Sequence, residues 1–205
     1  MMTSRKLPVP PNRDASRNLC AISAFATATF PFCHVSLNQL LDEIRSYGKT
    51  RLGIGGELSS ADFYHRHARD MFEKFAKGAG RWVTMFDWLE TLQREPAGEG
   101  FAGTAANCRH EKFRSDEWTR MKIALMGEDK SVGCVGMRCI EAGDRIDHYV
   151  SVWYEHDEFF VLDSGIGGEK TDDGSKNTLE DAMYHCGLAG GRQVEDYWGM
   201  VVTAL

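Results

Sequence analysis

HYVSVWYEHDEFFVLD, residues 148–163, decides how the rest of the chain is read. Val150, Val152 and Tyr154 alternate with Tyr149, Ser151 and Trp153, the period-two pattern of a strand with two usable faces. EHDE then reads as a tight turn, although it lacks the glycine that the commonest two-residue turns prefer. EFFVLD returns as a second strand. A hairpin folded here brings its open ends together, so His148 at the start of one strand meets Asp163 at the close of the next. Cross-strand neighbours lie about 5 Å apart, within reach for a carboxylate to orient an imidazole. Asp147 precedes His148 directly, but adjacent strand residues point to opposite faces, which makes it the weaker partner.

Working outward, SVGCVGMRCI (131–140) reads as a strand before the hairpin and YWGMVVTA (197–204) as one closing the chain. A late helix is expected from Thr178 to about Cys186, after the loop SGIGGEKTDDGSKN. The first half reads as helices. One follows Cys20; a second is SLNQLLDEIRSYG, with Ser36 and Gln39 as a capping box and Gly48 as its stop. A third runs through SADFYHRHARDMFEKFAKG and a fourth through TMFDWLETLQRE, with Thr84 as its cap. Residues 95–114 read as irregular, a crossing between lobes or a mobile loop. A short helix capped by Ser115 follows. Helices first, then an antiparallel sheet with one late helix, define an α+β fold.

Composition narrows the function classes. The chain has 205 residues, a net charge of −6, 42% hydrophobic and 26% charged residues. One domain with a proper core fits that length. The negative balance opposes nucleic-acid binding, which needs clustered Lys and Arg. No apolar run approaches a membrane span. MMTSRKLPVPPNRD lacks the apolar core of a secretory signal, and its prolines suggest an extended or flexible arm over residues 1–14. The six cysteines form no CxxC pair, the histidines no ligand set, and no metal or other cofactor is expected. The thiols are expected to be mostly reduced. The tryptophans read as core or lobe-interface residues.

RNLCAISAFATATF, residues 17–30, supplies the third chemical group. Cys20 heads a helix, and a helix N-terminus favours an anion, so the position suits a nucleophilic thiolate. Cys20, then His148 more than half the chain later, then Asp163 one hairpin on, is the order of nucleophile, base and orienting carboxylate.

This constellation resembles the papain-like cysteine protease superfamily from about Asn12 to the end of the chain. DHYVSVWYEHDEFFVLDSG is similar to the His box of ubiquitin-specific proteases, and to the His–Asp segments of viral leader proteases and Yop-type bacterial effector proteases. NLCAISAFATATF resembles their Cys box. The resemblance implies a helical lobe (about 15–95) and a sheet lobe (about 115–205) of one domain, with a cleft between them. It also implies Cys20 as nucleophile, His148 as general base and acid, and Asp163 as orienter, without metal or cofactor.

The families place Gln or Asn five or six residues before the cysteine as oxyanion donor; here those positions hold Ala15 and Asp14. An ionised Asp14 cannot donate a hydrogen bond, leaving Asn18, Ser16 and Asn12 as candidates. Transglutaminase-like enzymes and arylamine acetyltransferases share the Cys–His–Asp order, but their Cys-to-His interval is usually much shorter. The expected protein is therefore a monomeric peptide or isopeptide hydrolase, cytoplasmic or delivered into a host cytosol. Ubiquitin and ubiquitin-like proteins are among its candidate substrates. Other expectations stand beside it: a catalytically weak binding module using the same cleft, and a self-processing leader protease or transglutaminase-like acyl transferase.

Overall fold

Ala21, Ala24, Ala26 and Ala28 make the segment after Cys20 a strong helix former, and small enough to be surrounded on every side. In the computed structural model it forms α1 (Cys20–Cys33), with every residue from Ala21 to Thr29 buried. A helix buried all round is a central element, not a surface one. Its two threonines are satisfied locally: Thr27 and Thr29 Oγ1 donate to the carbonyls of Ser23 and Phe25 at 2.8 and 2.9 Å. The structure describes residues 19–98, 101–127, 131–141, 143–163, 179 and 193–205. The N-terminal arm, the loop after Asp163, Cys186 and most of the expected late helix lie outside them. Leu179 alone represents that helix, and it is helical and buried.

Of three further helices, two pack directly on α1 and the third packs on those two. α2 (Leu37–Leu52) begins with the expected Ser36–Gln39 capping box. It does not stop at Gly48 but continues to Leu52, where Gly53 adopts the left-handed cap at φ 66°. Gly48 has a packing role instead: a Cβ there would stand 2.6 Å from the Phe63 ring of the next helix. α3 (Ser60–Ala79) is capped by Ser59, and α4 (Met85–Arg94) by the Thr84–Asp87 box.

Residues 95–114 are less irregular than expected. After a 3-10 turn at Thr104–Asn107, CRHEKFR forms β1 (Cys108–Arg114). Its polar sequence hides it, but the strand sits at a sheet edge, where charged side chains are tolerated and protective. A 3-10 turn at Ser115–Glu117 leads into α5 (Trp118–Gly127). Then come β2 (Val132–Glu141), β3 (Asp144–Glu155), β4 (Glu158–Leu162) and β5 (Gln193–Ala204). β3 therefore opens at Asp144, and His148 is an interior position. β2–β4 form a meander, but β5 inserts between β1 and β2, giving the antiparallel order β1-β5-β2-β3-β4.

The β3–β4 turn solves its missing glycine directly: His156 and Asp157 both adopt positive φ, at 53° and 63°. That is the mirror-image turn whose twist matches a hairpin.

The sheet is covered on both faces. On one, α1–α4 pack with Val132, Cys134, Tyr149, Trp198, Met200 and Val202. On the other, Trp118, Met121 and Leu125 of α5 pack with Val135, Val150, Val152 and Val201. Cys134 and Cys139 have opposite parity and both are fully buried, one in each layer. Trp82 departs from the expectation for the tryptophans: it is 52% exposed. Among the described residues no single helix is long and apolar enough to cross a membrane.

Candidate functional site

β4 ends at Leu162, opposite Ser151, so among the described residues β3 has no partner on that side when it reaches His148. The register carries Asp163 to the row of Val150, two residues from His148 and on the same face of the sheet. That diagonal closes: His148 Nε2 lies 2.7 Å from Asp163 Oδ2, with both side chains 6% exposed. Asp147 turns to the opposite face, as alternation requires. There its Oδ1 accepts from Arg138 Nε at 3.2 Å, on the neighbouring strand.

The third group arrives from α1. Cys20 occupies the first position of that helix, and its side chain is a hydrogen-bond partner of the His148 imidazole. Asp163 engages Nε2 of the same ring. Among the five described cysteines, all free thiols, Cys33, Cys108, Cys134 and Cys139 are buried and only Cys20 is partly exposed. Ser151 Oγ, three residues after His148, donates to the Ala24 carbonyl at 3.3 Å and so pins the first turns of α1 to β3. The structure thus brings Cys20, His148 and Asp163 together from three elements. Asn12, Ser16 and Asn18 lie outside the described residues.

The charge balance at His148 is set by opposing effects. Burial alone disfavours the imidazolium and pushes its pKa down. The hydrogen bond to Asp163, the hydrogen bond with Cys20 and the negative charge of both partners outweigh it. Together they raise the pKa from 6.5 to about 9.

Two tyrosines not anticipated as site residues also feel the thiol. Tyr64 of α3 is driven above the ordinary phenol pKa by burial and then by the negative charge of Cys20. Tyr149 is raised by burial, then by Asp147, Cys20 and Tyr64, with Arg138 opposing. Tyr149 could have been found from its place beside His148. Tyr64 could not, because it comes from a distant helix with no local motif. From Tyr149, ring contacts continue to Trp198 at 6.1 Å and on to the exposed Trp82 at 6.0 Å. That line leads to a surface depression lined by Trp82, Arg114, Tyr197 and Trp198.

Among the described residues, no group of three or more His, Cys, Asp or Glu is arranged to hold a metal ion. Comparison of the chain with protein-family models, with curated proteins and with solved structures finds no match in any of the three.

Proposed function

We propose that this chain is a cysteine hydrolase that cleaves a peptide or isopeptide bond through Cys20, His148 and Asp163. The observation that supports it is the continuous hydrogen-bonded line from a partly exposed thiol, through a buried imidazole, to a buried carboxylate. In this reading α1–α4 form one lobe and the sheet the other, as in papain-like enzymes, and substrate lies where the start of α1 meets β3.

His148 takes the Cys20 proton, and the sulfur attacks the substrate carbonyl. The imidazolium, held by Asp163, then gives the proton to the leaving amine, and water hydrolyses the thioester. A His148 pKa of about 9 suits the second role, since the ring, once it has taken the thiol's proton, holds it at neutral pH until the leaving amine needs it. The Cys20 backbone N–H supplies one oxyanion donor, and Asn18, Ser16 or Asn12 a second. A protein or peptide substrate in a cytosol, the producing cell's own or a host's, fits this chemistry.

Labelling tests the reading, with iodoacetamide across pH and with ubiquitin carrying a C-terminal electrophile, on wild type, Cys20→Ala and His148→Ala. Alkylation at Cys20 much faster than at a free thiol, lost in His148→Ala, is the expected result. Capture of the ubiquitin probe would assign ubiquitin-like tails as substrate, and its absence another peptide. A Cys20 that reacts no faster than a free thiol would overturn the enzyme and leave a binding site.

A further inference from the structure

A second pair of sulfurs lies at the other end of α1. Cys33 closes the helix and Cys108 opens β1, 75 positions apart in sequence, with their Sγ atoms 3.2 Å apart. A disulfide needs about 2.05 Å, so closing it takes roughly half an ångström of movement from each sulfur.

Polar groups are built around this pair. Gln93 of α4, 1% exposed, aims its Nε2 at both sulfurs, 3.2 Å from Cys33 and 3.7 Å from Cys108. Its Oε1 is left without a hydrogen-bond partner. A neutral thiol is a weak acceptor, so a buried amide directed at two of them suits a sulfur that becomes an anion. In the reduced pair the Cys33 thiol donates to the Thr104 carbonyl at 3.2 Å. On the far side His110 Nε2 stands 3.8 Å from Cys108 Sγ, and its Nδ1 faces Glu90 Oε1 at 3.6 Å. The two sulfurs are inequivalent. Cys33 is lowered by its hydrogen bond with Cys108, against burial, with help from Gln93. Cys108 is raised by its hydrogen bond with Cys33 and by burial.

The geometry points to a redox-active dithiol in which hydrogen peroxide joins Cys33 to Cys108 as a disulfide, independently of the hydrolase site. Exposures of 8% and 4% favour so small an oxidant over a bulky disulfide. The Cys33 thiol gives up its proton and its sulfur attacks one peroxide oxygen; the O–O bond breaks, the departing hydroxide takes that proton and leaves as water, and Cys33 becomes a sulfenic acid. Cys108 passes its proton to His110 Nε2, and its sulfur attacks the Cys33 sulfur. The S–S bond forms, the S–O bond breaks, and the departing hydroxide takes that proton. The thiols lose two electrons, and their two protons end in two waters. The bond ties the C-terminal end of α1 to the edge strand and closes a long loop, which raises thermal stability.

The test treats the full chain carrying Cys20→Ala with hydrogen peroxide, alkylates it under denaturing conditions and digests it without reductant. The expected product is a peptide pair linking Cys33 to Cys108, lighter by two hydrogens, reversed by dithiothreitol and accompanied by a Tm several degrees higher. Gln93→Leu, checked for its fold by circular dichroism, should close several-fold more slowly for want of one charge-assisted hydrogen bond. In Cys108→Ser the sulfenic acid at Cys33 should persist and be trapped by dimedone. Recovery of both cysteines as alkylated thiols would overturn the proposal, at peroxide doses that oxidise the denatured chain. So would separate over-oxidation of each without a link.

Discussion

At His148, desolvation works against the charged ring while Asp163 and Cys20 work for it, and the partners win. Asp163→Asn keeps the shape of the side chain but removes the carboxylate charge. The His148 pKa should then fall from about 9 by roughly two pH units, because burial remains and its main counterweight has gone. Titration of isotope-labelled histidine by NMR reads this directly, and an unmoved pKa would remove Asp163 from its orienting role. Stability follows by linkage. A histidine whose pKa is raised on folding stabilises fully below its unfolded value of 6.5, and that contribution is lost as pH rises toward 9. Urea midpoints of the wild type should fall across that window, and Asp163→Asn should flatten the fall. His148 and Asp163 were legible in the sequence because a hairpin's register is local arithmetic. Tyr64 was not, since only the packing of α3 brings it near the thiol.

Among the elements, β1 shows what pattern reading misses. Its interior is Arg109, His110, Glu111 and Lys112, with no apolar alternation to announce a strand, and its partner is the last strand of the chain. What holds its inner face is charge. Lys112 Nζ lies 2.7 Å from Asp87 Oδ1 and 2.5 Å from Glu90 Oε2, both on α4 and both nearly buried. Asp87 also accepts from the Thr84 amide and hydroxyl at 2.8 and 2.7 Å, so one carboxylate caps a helix and anchors a strand. Burial pushes the Asp87 pKa up, but Lys112 and Thr84 bring it net below the ordinary carboxylate value. Lys112→Ala leaves two buried carboxylates without their shared cation. It should cost about 2 kcal/mol, less than a fully buried pair would, because Lys112 itself is half-exposed. A carboxylate with a depressed pKa stabilises above its unfolded value and loses that contribution as pH falls. The acid-unfolding midpoint of Lys112→Ala should therefore move to higher pH, and an unchanged midpoint would mean the pair is screened out. The α2 capping box and the Thr84 cap of α4, by contrast, are written in neighbouring residues and legible in the sequence; that Asp87 completes a box at α4 comes from the structure. Gly48 was misread because its lack of a Cβ serves a neighbouring helix and not its own termination.

At the scale of the whole molecule, α1 is the element both halves share. The α+β class and the antiparallel strands were visible in local periodicity, but the strand order depends on β5 entering between β1 and β2, a pairing no local pattern encodes. The same long-range packing argues against two lobes that melt apart. Ile22, Phe25 and Ala28 of α1 belong to one buried cluster with Trp88 of α4, Cys134 of β2, Tyr149 of β3 and Met200 of β5. Neither half can lose its partner without exposing that cluster, so unfolding should be a single cooperative event. Ile22, fully buried, is the place to weaken it. Ile22→Ala should destabilise by about 2–4 kcal/mol through lost transfer energy and a residual cavity. The helical far-UV signal, tryptophan fluorescence and the alkylation of Cys134 in the sheet should then shift to lower urea together. Should the helical signal fall first while Cys134 stays protected, the sheet would be a folding unit of its own. Cys20 would then sit on a helix that can detach from His148.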